Sequence, residues 1–171
     1  MKLNLRFGLI FFVIQSLWIL GEFALGWHTT DVDVTRSSQG LFFIPAVAVM
    51  TWGLWAKKEA DGFLAYRSAL GMGAAVGLVV GALSVPFHLA YVKFLNPDFS
   101  ANMIQGMVEA GQASFEQATE QFAMPRHLFG LLLFPVIAGT LTNAVAGAFL
   151  RTRSAKEDET GEEIRGHVGL T

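Results

Sequence analysis

Four polar residues fall where a lipid-crossing chain tolerates them least, and they are the ones equipped for chemistry. Glu22 lies toward the end of a first long apolar run, His88 toward the end of a third, and Arg126 and His127 open a fourth. At about 1.5 Å of rise per residue, Glu22 and His88 sit at a similar depth, roughly 7 Å below one interface. A carboxylate and an imidazole gathered there would form a cluster that passes a proton or holds a ligand. The plainer reading, which is preferred, has Glu22 meeting interfacial water or a single structural partner and His88 capping a carbonyl freed near Pro86. Gln15, Thr51, Ser84 and Asn143 are read as hydrogen-bonding glue between helices.

The rest of the composition limits what else the chain does. Its 171 residues are 53% hydrophobic and 15% charged, and the mean hydropathy is +0.46, too apolar for a soluble domain and too short for two membrane domains. A net charge of −2 with no basic surface argues against a nucleic-acid partner, and the absence of cysteine removes disulfide and thiolate chemistry. His28, Asp31 and Asp33 with His127 are donors of the right type for a metal but lack a diagnostic spacing, so no metal and no cofactor are expected. The chain has no phosphate-binding loop, His-Glu-x-x-His pair or Gly-x-Ser-x-Gly elbow, so no enzymatic activity is expected.

The elements that must position these residues follow from hydropathy. Apolar runs over about 7–27, 40–56, 68–95 and 127–150 each have roughly the length needed to cross a core of about 30 Å. Trp52 and Trp55 followed by Lys57 and Lys58 mark a membrane exit. A basic start followed by an apolar run and the small pair Ala24 and Gly26 also resembles a secretory signal, which would make the first span removable. The third run is the organising one. Ala69, Gly73, Gly77 and Gly81 strip one face almost bare, so another helix lies close against it, either inside the bundle or across a seam between two copies. Val79 is expected to lie off that face. Pro86 is expected to kink the run, and Asn96-Pro97-Asp98 to end it. Ile104, Val108, Gly111, Phe115, Ala118 and Phe122 then recur at helical spacing opposite Gln105, Glu109, Gln112, Glu116 and Glu120. That predicts one amphipathic helix over about 100–123 with an acidic face, suited to covering the bundle mouth. Residues 154–171 have too few apolar side chains to order themselves and are read as a disordered tail behind a 1–153 membrane domain.

The fold class is therefore all-α, a four-span transmembrane bundle with one outer amphipathic helix. Lys2, Arg6, Lys57, Lys58, Arg67, Arg151, Arg153, Lys156 and Arg165 fall on one side, and only Arg36, Lys93 and Arg126 on the other. The positive-inside rule then places both termini in the cytoplasm. The run Tyr91-Val92-Lys93-Phe94-Leu95-Asn96-Pro97-Asp98-Phe99, with the acidic amphipathic stretch after it and a last span carrying Phe134-Pro135 and ending in basic residues, resembles the bacterial membrane family called domain of unknown function 4199. The resemblance implies four spans in a bacterial inner membrane and no particular activity. The expected role is a non-enzymatic envelope component or accessory subunit, its partners being the bilayer and another membrane protein or a second copy. The alternative is a small transporter or channel working through Glu22 and His88. A hydrated cavity reaching past Glu22 toward Gln15 would favour the alternative, and tight packing there the accessory role.

Overall fold

A computed structural model describes residues 2–28 and 32–152, and these form helices and turns without a strand. Residue 31, the side chains of Asp33 and Arg36, and the tail from 153 onward lie outside the described residues. The helices are α1 (Leu3–Ala24), α2 (Val32–Asp61), α3 (Tyr66–Ala90), α4 (Phe99–Glu109), α5 (Phe115–Gln121) and α6 (Met124–Leu150). A π-helical turn, Tyr91–Leu95, extends α3. Four segments are long and apolar enough to cross a membrane: Leu3–Ala24, Ser37–Asp61, Tyr66–Leu95 and Met124–Leu150. Large apolar side chains such as Leu17, Ile44, Leu141 and Phe149 stand exposed on their outer faces, as a lipid-facing belt requires. The chain is an all-helical, multi-pass membrane bundle.

At the centre lies α3, packed most extensively on α6 and next on α1. Its glycine face explains the first contact. A Cβ added at Gly73, Gly77 or Gly81 would strike the α6 main chain at Gly139, Pro135 and Leu132 respectively. In return, a Cβ on Gly139 would meet the carbonyl of Gly73 at 2.7 Å, and one on Gly147 the Cβ of Ala69 at the same distance. Two antiparallel helices thus approach backbone to backbone, and dispersion between main chains takes the place of side-chain interdigitation. Asn143 Nδ2 seals the contact by donating to the Ala69 carbonyl at 3.1 Å. The face is occupied inside one chain, so a seam between two copies would need another surface. Gln15 Nε2 donates to Ser84 Oγ at 3.3 Å and ties α1 to α3. Val79 is not idle: a Cβ on Gly8 of α1 would lie 2.6 Å from it. The side of α3 turned away from protein is at Leu78, 57% exposed.

The helix ends depart from the hydropathy reading. α1 runs Leu3–Ala24 instead of 7–27, and α2 begins at Val32 instead of 40, because helical hydrogen bonding does not stop where the apolar core stops. The polar first turns of α2 have partners: Thr35 Oγ1 donates to the Trp27 carbonyl at 2.6 Å, and Ser38 Oγ accepts from Trp18 Nε1 at 3.1 Å.

The expected single amphipathic helix is two. Gly111, at φ +66°, ends α4 in a left-handed turn: its N–H donates to Val108 and that of Gln112 to Met107. Ser114 then restarts the chain as α5 with a reciprocal capping box. Its Oγ accepts from Gln117 N at 3.2 Å, while Gln117 Oε1 accepts from Ser114 N at 3.0 Å. Together α4 and α5 form a two-helix lid over one end of the bundle. At the other, basic end, Lys58 Nζ donates to the Leu150 carbonyl at 3.0 Å, and Leu64 and Thr152 exchange two hydrogen bonds.

Candidate functional site

The end under the lid gathers most of the buried polar side chains among the described residues, and a helix ending brings them together. Gly26, at φ +75°, closes α1 in the same left-handed motif: Gly26 N–H donates to Phe23 and Trp27 N–H to Glu22, both at 2.9 Å. The chain therefore doubles back, and His28 returns over the last turn of α1. Its Nε2 lies 2.9 Å from Glu22 Oε2, and its Nδ1 lies 2.6 Å from the Tyr91 hydroxyl. Trp18 Nε1 donates to Glu22 Oε1 at 2.9 Å, one helical turn away. Asn96 Nδ2 donates to the Tyr91 hydroxyl at 3.0 Å.

One proton arrangement satisfies every group. Asn96 donates to the Tyr91 oxygen, Tyr91 donates to Nδ1 of His28, and His28 Nε2–H donates to the Glu22 carboxylate. A buried carboxylate is tolerable only when so partnered, and Glu22 and His28 are 4% and 5% exposed. The order carboxylate, imidazole, hydroxyl is that of a nucleophile relay. Here its last oxygen accepts from Asn96, and Tyr91 is 1% exposed, so the hydroxyl is enclosed by protein. The π-helical turn sets this end in place, since its wider winding, closed by Asn96 N–H to Tyr91 O at 2.9 Å, carries Tyr91 and Asn96 into the same buried network.

Of the four residues singled out in the sequence, two meet. The His88 and His127 rings lie 4.5 Å apart between centroids, and Phe99 of α4 packs edge-on to His88 at 5.6 Å. Nε2 of His88 is buried and has no hydrogen-bond partner among the described residues. Glu22 has both oxygens committed to Trp18 and His28, not to His88. Arg126 is exposed and pairs with Glu120 at 2.6 Å. Phe99 is the hub on which the lid sits, touching His28, His88, Tyr91, Phe122 and His127. Sequence reasoning missed Trp18, Tyr91 and Asn96, and read His28 as a loop residue. The one signal for His28 was Gly26 directly before Trp27, a helix-ending residue that turns the chain back over α1.

Beside the network a cavity of about 680 Å³ opens between α1, α2 and α6, with α3 as its floor. Its walls are overwhelmingly apolar and include Phe11, Phe42, Val76, Phe129 and Phe134. Polar side chains gather at the lid end, where Glu22, Gln39, Gln121, Arg126 and His127 rim it; deeper down it reaches past Gln15 to Thr142. Gly77, Gly130 and Gly139 lie in the lining, but the bare sides of Gly77 and Gly139 face the α3–α6 contact, and only at Gly130 would an added Cβ meet nothing within 4 Å. A volume of this size is that of a small-molecule site, normally about 300–1,000 Å³.

Comparison with protein families gives a match over most of the chain. The family model described as "Protein of unknown function (DUF4199)" covers residues 6–152, which takes in nearly the whole of the helical bundle and its lid. No curated protein and no solved structure matches the chain.

Proposed function

The chain belongs to that family of unknown function, and from its geometry we propose that it is a non-enzymatic membrane component that holds a small hydrophobic molecule between its spans. The carrying observation is the cavity, which reaches from Glu22 past Gln15 where a purely structural bundle would be packed solid. Its apolar walls favour a bilayer-soluble ligand over an ion, because an ion at that depth needs charged or carbonyl ligands and the deep polar groups are few. Gln15, the deepest amide in the lining, is already bonded to Ser84. The buried Glu22 network serves as the rigid wall of the site.

A small transporter is the second reading, and the same cavity favours it. Its cargo would be a hydrophobic molecule, and its working residues would be those of the cavity rim, not a pair of Glu22 and His88. Membrane placement is part of the proposal. Nine basic residues at the termini and the α2–α3 turn against three at the lid end support an inner membrane with both termini in the cytoplasm. A reporter active only in the cytoplasm should work when fused after Arg153 and fail when fused after Gln112. The opposite pattern would invert the bundle.

Gly130 supplies the direct test of the cavity. It lines the site, and a Cβ added there would meet nothing within 4 Å, so Gly130→Phe should fill the space without straining the bundle. Native mass spectrometry of the wild-type protein in mild detergent should show a small-molecule adduct that Gly130→Phe loses at unchanged melting temperature. An adduct-free wild type that co-purifies with another protein would return the role of accessory subunit instead.

A further inference from the structure

We infer that the ligand is a single-chain amphiphile with an anionic head group, its head at Arg126 and its tail lying down the slot. The inference rests on the ligand-binding reading of the same cavity and narrows it. The lining runs along α1 from Glu22 to Phe11 and along α2 from Gln39 to Met50. At about 1.5 Å per residue each wall is roughly 16 Å long. That is close to the depth of one leaflet, half of a hydrocarbon core of about 30 Å. The α6 wall, from Arg126 to Thr142, is longer at about 24 Å, so the site is a slot at least one leaflet deep, polar at the interfacial end and apolar below it, which is the polarity profile of an extended chain with a head group.

The charge on the rim selects the head. Among the described residues that line the cavity, Arg126 is the cation and Glu22 the carboxylate. Glu22 is buried and already engaged, one oxygen by Trp18 and the other by His28. Among the described residues Arg126 is held by Glu120, in a pair whose side chains are 62% and 70% exposed. Exposed pairs of this kind contribute little, so the guanidinium can exchange Glu120 for a ligand anion that it grips with two parallel N–H donors. The amides of Gln39 and Gln121 stand on the same rim to complete the head-group shell.

The test is equilibrium binding of radiolabelled hexadecanoate and hexadecanol to the full chain in nanodiscs, with competition by two-chain phosphatidylglycerol. Hexadecanoate should bind one to one and at least tenfold more tightly than hexadecanol. Arg126→Gln should remove that preference by weakening hexadecanoate alone, and Gly130→Phe should abolish binding of both. Equal binding of acid and alcohol, unaffected by Arg126→Gln, would overturn the anionic head group and leave the cavity reading standing. Equal competition by phosphatidylglycerol would overturn the single chain. Failure of both probes to bind would overturn the inference, while the adduct measured by native mass spectrometry would still decide the cavity reading separately.

Discussion

Gly77→Ile will sharply lower the thermal stability of the detergent-solubilised protein, whereas Leu78→Ile will leave it nearly unchanged. The added Cβ at position 77 would overlap the carbonyl of Pro135 and the Cα of Val136, which are main-chain atoms of a packed helix and cannot rotate aside. Overpacking of ordinary core sites costs about 1–3 kcal/mol. Here relief requires the whole of α6 to move off α3, so the cost should lie at or above the top of that range. Leu78, one position on, points out of the bundle and meets lipid. A melting temperature for Gly77→Ile within a degree of wild type would show that α3 and α6 do not approach backbone to backbone. Val79 would be a poor control, because its side chain fills the space beside Gly8 and any change of shape there loads the α1–α3 contact.

The architecture around that contact was legible because bilayer insertion is written in hydropathy and close helix approach in glycine spacing. Both patterns depend on local sequence alone. Helix ends were less legible, since Gly26 and Gly111 read equally well as small residues on an apolar face and as left-handed terminators. Only the hydrogen bonds of the finished turns separate those roles. The buried network was hidden for the same reason. Its members are far apart in sequence, and a turn at Gly26 together with the wide winding after Ala90 brings Glu22, His28, Tyr91 and Asn96 into one place. The cavity was not legible at all. In a membrane, a phenylalanine facing lipid and one facing an internal slot are equally apolar, so Phe11 and Phe42 carry no mark in the sequence that they line a site.

The same dependence on tertiary closure makes the network the place where single substitutions should hurt most. His28→Ala removes the one basic partner of a carboxylate that is 4% exposed and leaves it with the Trp18 N–H alone. Stranding a buried charge typically costs about 3–5 kcal/mol. It also takes the imidazole acceptor from the Tyr91 hydroxyl, while Asn96 keeps its bonds to that hydroxyl and to the main-chain carbonyl of residue 28. Glu22→Gln should be milder, about 0.5–1.5 kcal/mol, because the amide keeps the side chain's shape, accepts from Trp18 through its oxygen and donates to His28 once that ring takes its other tautomer, while the charge that needs compensation is gone. The double variant should then be markedly less destabilised than the sum of the two, since without the carboxylate His28→Ala strands no charge; coupling between bonded residues is usually about 0.5–3 kcal/mol. The same cycle run with His88→Gln in place of His28→Ala should come out closer to additive, because Glu22 bonds to Trp18 and His28 and no hydrogen bond joins it to His88 Nε2 among the described residues. Measured by denaturation in detergent, strong coupling to His88 with additivity at His28 would reverse the assignment and make the histidine beside His127 the true partner of the buried carboxylate.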